Sequence, residues 1–179
     1  MSEHVMIDIE TMGKGSRAAI LSIGAVKFNP LYVGQPIEDS FHVGVTLESC
    51  ARHGLNLDAS TVEWWLDPAR RPAWDAHLTL DKVDLWEALE GLRFWFGSKS
   101  LPTWGNGATF DNVILRNAYA ATDQVCPWEF WDDRCYRTLK SLAPEIAIER
   151  AGTHHSALDD AVSQAQHMQR VVAHLGLVL

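Results

Sequence analysis

Hydrophobic and polar positions follow two periods along the chain, short extended bursts at first and helical repeats later. Residues 5–13 open with apolar Val5, Met6, Ile7 and Ile9 around two carboxylates, Asp8 and Glu10, and close on Gly13. Residues 18–28 form a second apolar run ended by Asn29-Pro30, and residues 40–45 a third. Three such bursts with short turns predict an antiparallel meander. Gly24, inside the second, predicts close approach of another backbone or a bulge. Residues 46–59 read as loop.

Helical spacing then takes over. Ser60 or Thr61 caps a short helix carrying Val62, Trp64, Trp65 and Leu66, and Pro68 and Pro72 break the segment beyond it. Asp81 opens an amphipathic helix through Val83, Trp86, Leu89, Leu92, Trp95 and Phe96. A strand over 101–104 leads into the Gly105-Asn106-Gly107 turn, and a helix runs from 110 to about Ala121. A short strand near 134–136, a short helix over 138–143 ended by Pro144, and a final helix from about 156 to 175 stopped by Gly176 complete the chain. With no repeat, linker or low-complexity run, residues 1–179 are expected to form one α/β domain, a mixed β-sheet flanked by α-helices.

Composition narrows the function classes. A chain of 179 residues can build one full core. Eight Trp predict an aromatic core or a stacking surface. No apolar stretch reaches membrane-spanning length and no secretory signal opens the chain, so neither a membrane protein nor a secreted one is expected. Cys50, Cys126 and Cys135 are odd in number and outside any CxxC pattern, which fits free thiols in a cytoplasmic protein. A net charge of −8 argues against wrapping long nucleic acid by phosphate neutralisation, though not against gripping one chain end.

The acids carry the chemistry. On a strand, Asp8 and Glu10 share a face, where like charges partly removed from water raise each other's pKa and call for a cation, most simply a divalent metal. An exposed strand with solvated acids is the alternative, and the run is too apolar for it. Asp111 lies where a strand hands over to a helix, the usual place for sites in α/β folds; taken alone, it is better explained as a plain helix N-terminal acid. In the stretch from His154 to Asp160, both His154/Asp159 and His155/Asp160 are five apart. The apolar stripe of this helix runs through Ala157, Ala161, Ala165, Met168, Val172 and Leu175. Asp160 borders that stripe, while Asp159 lies nearly opposite, facing solvent, as part of a capping-box-like start with Ser156.

Taken together, Asp8-Ile9-Glu10-Thr11, Asp111 after the Gly-Asn-Gly turn, and His155-x-Ala157-x-x-Asp160 resemble the DEDD superfamily of 3′–5′ exonucleases. This is the DnaQ-like, RNase H-like group that includes RNase T and oligoribonuclease. The likeness spans nearly the whole chain, and His155 with Ala157 resembles the histidine branch (DEDDh). Trp64-Trp65 and the stretch from Trp104 to Asp111 look most like small bacterial and phage exonucleases, some exoribonucleases and others exodeoxyribonuclease VIII-like. The resemblance implies an RNase H-like fold and two divalent ions, Mg²⁺ or Mn²⁺. They would clamp the attacking and leaving oxygens of a phosphodiester displacement at the 3′ end of single-stranded RNA or DNA, releasing 5′-mononucleotides. Asp8 would bridge the ions, Glu10 and Asp160 complete the tighter one, Asp111 act on the second, and His155 serve as general base. Backbone near Thr11 and Met12 is expected to meet the terminal sugar; Met12, Phe110 and Trp64 are candidates to pack against bases, and Asn106 either contacts substrate or serves its turn. Arg52, His53, Arg70 and Arg71 could steer phosphate. Related stand-alone enzymes are often homodimers, and the helix around Trp86 and Trp95 could supply an interface.

Three rivals remain at this level. An inactive nucleic-acid-binding module would be expected to lack a ligand or the histidine. A zinc protein using His154, His155, Cys126 and Cys135 leaves the Asp8/Glu10 pair unexplained. An RNase H-like endonuclease fits the metals but not the His155/Asp160 spacing.

Overall fold

The computed structural model describes residues 3–179. Its centre is a six-stranded sheet in the order β4-β3-β2-β1-β5-β6. The three apolar bursts become β1 (His4–Thr11), β2 (Ile20–Phe28) and β3 (Ser40–Val45), paired antiparallel. β5 (Thr103–Gly105) lies parallel to β1, and β6 (Asp133–Cys135) parallel to β5. The sheet is therefore mixed, as expected.

Strand alternation divides the interior into two layers. Val5, Ile7 and Ile9 of β1 face one side, where α4 (Leu85–Phe96) contributes Leu85, Leu89, Leu92 and Phe96, and α5 (Asp111–Ala121) contributes Ile114, Leu115 and Ala118. Met6 faces the other side, packed with Tyr136 and Leu139 of α6 (Tyr136–Lys140) and with Ala161, Ala165, Met168 and Val172 of α7 (Ala157–Leu175). Asp8 and Glu10 follow Met6 on that same side. Gly24, the register partner of Asp8, lets α7 come down directly onto the sheet: a Cβ there would lie 2.2 Å from the carbonyl carbon of Ala157. Gly176, at φ 62°, ends α7 in the left-handed conformation.

Four expectations are corrected. Residues 47–52, read as loop, form α1 (Leu47–Arg52), whose six residues are too few to show a period. Pro72 does not break structure but sits in the first turn of α3 (Arg71–Leu78), where its missing N–H removes no helical bond. Asp81 does not open a helix. Lys82 and Val83 form the edge strand β4 beside β3, and Asp84 caps α4 by accepting from Trp86 N–H at 2.9 Å, in a capping box with Glu87. Ser156 stands at the N-cap of α7 without a side-chain cap bond, and Asp159 instead reaches back to accept from Thr153 N–H at 2.7 Å. The helix over 59–66, α2 (Ala59–Leu66), covers the end of β1, where Trp65 Nε1 donates to the Thr11 carbonyl at 3.0 Å. Among the described residues no helix is long and apolar enough to cross a membrane.

Candidate active site

The C-terminal half of β1, the start of α5 and the start of α7 converge at one end of a cleft of about 770 Å³. Asp8, Glu10 and Asp160 place a carboxylate oxygen each within 4.8 Å of one another. Asp111 joins them from α5, its Oδ1 accepting the Ile9 N–H at 3.3 Å, which ties the helix to the strand between the two other acids. Gly105 makes that approach possible, since a Cβ there would lie 2.4 Å from Asn112 Oδ1 and 2.9 Å from Asp111 Cβ.

Electrostatics marks this cluster as an incomplete charge balance. Burial first, and then Asp111, Glu10 and Asp160, push the Asp8 carboxyl well above its usual range, opposed by Gln164. Glu10 is pushed up to about 8, by burial and then by Asp160 and Asp111. Burial takes Asp111 up to about 7 against the pull of backbone N–H groups. Two groups offset the repulsion: Gln164 Nε2 donates to Asp8 Oδ1 at 2.7 Å, and the Arg150 guanidinium pairs with Asp160 Oδ1 at 2.7 Å. Buried acids with an all-oxygen donor set fit a hard divalent cation such as Mg²⁺ or Mn²⁺.

His155 stands beside the acids. Its N–H donates to Asp160 Oδ2 at 3.0 Å, and its backbone is left-handed at φ 65°, a strained state for a non-glycine residue that this bond helps to hold. The imidazole packs edge-on against Trp64, centroids 4.9 Å apart. Burial holds its pKa below the ordinary value, so the ring is neutral and able to take a proton at pH 7.

The family model of the Rv2179c-like 3′-5′ exoribonuclease domain matches residues 3–172. The chain belongs to this family. It is a 3′–5′ exonuclease with the DEDDh, RNase H-like fold. The nuclease domain of 3′hExo, a DEDDh family member bound to rAMP, superposes with a TM-score of 0.61 at 16% identity over 97% of this chain and 92% of that one. Exonuclease I from Methylocaldum szegediense gives 0.65 at 16% identity, covering 97% of this chain and 41% of that one. Exonuclease I from E. coli, in complex with a dT13 oligonucleotide, gives 0.61 at 15% identity over 98% and 42%. The chain thus spans less than half the length of the exonuclease I proteins. No curated protein sequence matches it.

The exonuclease fold brings Asp8, Glu10, Asp111, His155 and Asp160 to one cleft, together with Asn106 and Phe110. A smaller pocket of about 260 Å³ adjoins it past Glu10, lined by Thr11, Trp64 and Phe110 among others. Both Trp64 and Trp65 line this smaller pocket, but Trp65 is buried, whereas Trp64 is half-buried and packs against His155. Met12 is a correction: 5% exposed, it belongs to the core and lines a separate pocket with Trp65 and Trp74. Its N–H donates to the Ala19 carbonyl and its carbonyl accepts from Asp58 N–H, both at 2.8 Å, so the N–H is already committed within the fold. The register shift after Glu10 turns the chain inward there. Asn106 Oδ1 accepts from Lys140 at 3.3 Å and its carbonyl from Arg137 at 2.7 Å, so the turn is braced by the basic rim. Arg52 pairs with Asp84, His53 with the Ala121 carbonyl and Arg71 with Asp75, all outside the cleft lining, whereas Arg70 stacks on Trp64 at 4.4 Å.

Four polar residues missed in the sequence also line the cleft: Gln164, Arg137, Lys140 and Arg150. Gln164 was within reach of helical arithmetic, being four residues beyond Asp160 and so on the same face of α7. Arg137 and Lys140 are three apart on α6 and share a face in the same way. Arg150 lies in a loop, and no spacing marks it.

Proposed function

We propose that this cleft hydrolyses the terminal phosphodiester at the 3′ end of single-stranded RNA, releasing 5′-mononucleotides one at a time. The observation that carries the reading is the convergence of Asp8, Glu10 and Asp160 within 4.8 Å, with His155 fastened to Asp160 by its own N–H. The family's description as an exoribonuclease domain and the rAMP-bound 3′hExo domain favour RNA over DNA. Asp8, Glu10, Asp111 and Asp160 would hold Mg²⁺ or Mn²⁺. Bound there, such ions acidify the attacking water and stabilise charge on the leaving oxygen.

The protein's own groups do the remaining work. A ring nitrogen of His155 accepts the proton of the attacking water, a step that contributes roughly 10²–10⁴-fold in rate. Edge-on packing against Trp64 fixes the plane of the His155 ring. Thr11, Trp64 and Phe110 receive the terminal nucleotide in the smaller pocket, where stacking is worth about 1–3 kcal/mol per base. Arg137, Lys140 and Arg150 draw the phosphate backbone into a cleft that the net charge of −8 would otherwise disfavour. The domain would act in the cytoplasm, where the three free thiols Cys50, Cys126 and Cys135 persist. A homodimer is part of this reading, with the exposed Trp86 and Phe94 of α4 as its apolar surface, and sedimentation tests it.

Single-stranded RNA and DNA labelled at either end, digested with Mg²⁺, Mn²⁺ or chelator, test the reading. A 3′ label should leave as mononucleotide in the first turnover, a 5′ label should shorten stepwise, and chelator should stop both. Faster digestion of DNA would overturn the substrate assignment, and cleavage of a circular strand would overturn the exonucleolytic one.

A further inference from the structure

His154 plays no part in the mechanism above, yet it stands where a second kind of metal chemistry is possible. We propose that His154, His155 and Asp160 form a site for a borderline transition-metal ion, Zn²⁺ above all, and that filling it switches the exonuclease off. A donor atom from each of the three lies within 4.8 Å of the others. His155 sits on a left-handed backbone, φ 65°. The two imidazoles stack there with centroids 3.8 Å apart and planes 24° apart. His154 is exposed and His155 half-buried, so an ion has access from solvent. Neither imidazole is engaged in a hydrogen bond among the described residues.

The donor chemistry separates this site from the acid cluster although the two share Asp160. Two imidazoles and one carboxylate, completed by water, are a donor set that Zn²⁺ takes tetrahedrally at about 2.0–2.2 Å. The all-carboxylate set of Asp8, Glu10 and Asp160 suits Mg²⁺ or Mn²⁺ instead. Arg150 already occupies Asp160 Oδ1 at 2.7 Å, so the incoming ion replaces one cationic partner of that carboxylate with another. Occupation removes two groups at once from the reaction, the lone pair of His155 and a share of Asp160. The inhibition rests on the catalytic reading of those two residues; the binding does not.

Calorimetric titration of the metal-free full chain with Zn²⁺, for the wild type and His154→Ala, tests the site without any nuclease assay. One Zn²⁺ per chain is expected, with His154→Ala weakening it by on the order of 10–100-fold, the loss that even an outer-shell partner causes. Mn²⁺-dependent digestion by His154→Ala should match the wild type, while the Zn²⁺ concentration needed to inhibit rises by the same factor. Equal Zn²⁺ affinity in the two proteins would overturn the site, and equal Zn²⁺ inhibition would overturn the switch. Should His155→Ala and Asp160→Ala digest RNA normally, the catalytic reading fails, and the calorimetry still decides the site.

Discussion

The two layers beside the sheet are built from the same strands and differ in what they bury. Towards α4 and α5, Val5, Ile7 and Ile9 continue an apolar layer to the end of β1. Towards α7, the same strand offers Met6 and then Asp8 and Glu10, and the helix answers with Asp160, Ser163, Gln164, His167 and Gln169, all buried. His167 shows how such groups are tolerated: its Nε2–H donates to the Ile146 carbonyl at 2.7 Å and its Nδ1 accepts from Tyr136 Oη at 2.8 Å. Ser163, Gln164 and Gln169 each make a hydrogen bond too. The acids are the exception, because their repulsion is only partly offset. Both layers hold the fold together, and the α7 layer, apolar around Met6, stores unbalanced charge for a cation at its end as well. Alternation of period two is what keeps these tasks apart.

Substitutions on either side should therefore fail in different ways. Asp8→Asn should reduce RNA digestion the most, beyond the roughly 10²–10⁴-fold that a general base contributes. Its thermal melt in chelator should be unchanged or raised, because a buried repulsive charge is removed; a large drop would mean that Asp8 holds the layer together. His155→Ala should lose about 10²–10⁴-fold in kcat with an unchanged melt. On the apolar side Leu89→Ala should cost about 2–5 kcal/mol in denaturant unfolding and leave kcat per folded molecule intact.

A pH titration of metal-free protein sharpens the contrast further. Glu10 at about 8 and Asp111 at about 7 lie above their ordinary values, whereas burial holds His4 and His77 down at about 4; between about 6.5 and 8 the acids therefore dominate, and the folded state binds more protons than the unfolded one. Stability in chelator should then fall as pH rises through that window. Mg²⁺ should restore it at the alkaline end, and a melt that is flat from about pH 6.5 to 8 would contradict the charge imbalance. The smallest effect is expected from Asp159→Ala. Asp159 holds the Thr153 N–H at 2.7 Å, so its loss loosens the loop before His155 and should slow digestion a few-fold. Unchanged kinetics would show that the bond from His155 N–H to Asp160 positions the loop alone.

How much of the molecule is legible in its sequence depends on whether position along the chain determines position in space. Asp8 and Glu10 can be paired from strand geometry, and Asp160 preferred over Asp159 from helical phase, because both arguments use one element. Asp111 and the role of His155 become legible through family resemblance, since their partners lie on other elements. Met12 is misplaced because a register shift after Glu10, invisible as letters, turns it into the core. Asp159 reads as a solvated charge because its acceptor role depends on a loop, and Arg150 escapes notice for the same reason. The helix α1 and the edge strand β4 are six and two residues long, and their neighbours rather than their own periodicity decide them.

The contact at Gly24 has a consequence for how the site is dimensioned. Asp8 and Glu10 ride on the sheet and Asp160 rides on α7, so the gap between them is the thickness of the contact between helix and strand. That thickness is set where α7 rests on a residue without a side chain, 2.2 Å from where a methyl carbon would be. The hydrogen of Gly24 thus works as a shim. Were it one carbon thicker, helix and strand would have to part, and the acids would be spaced for a different ion or for none.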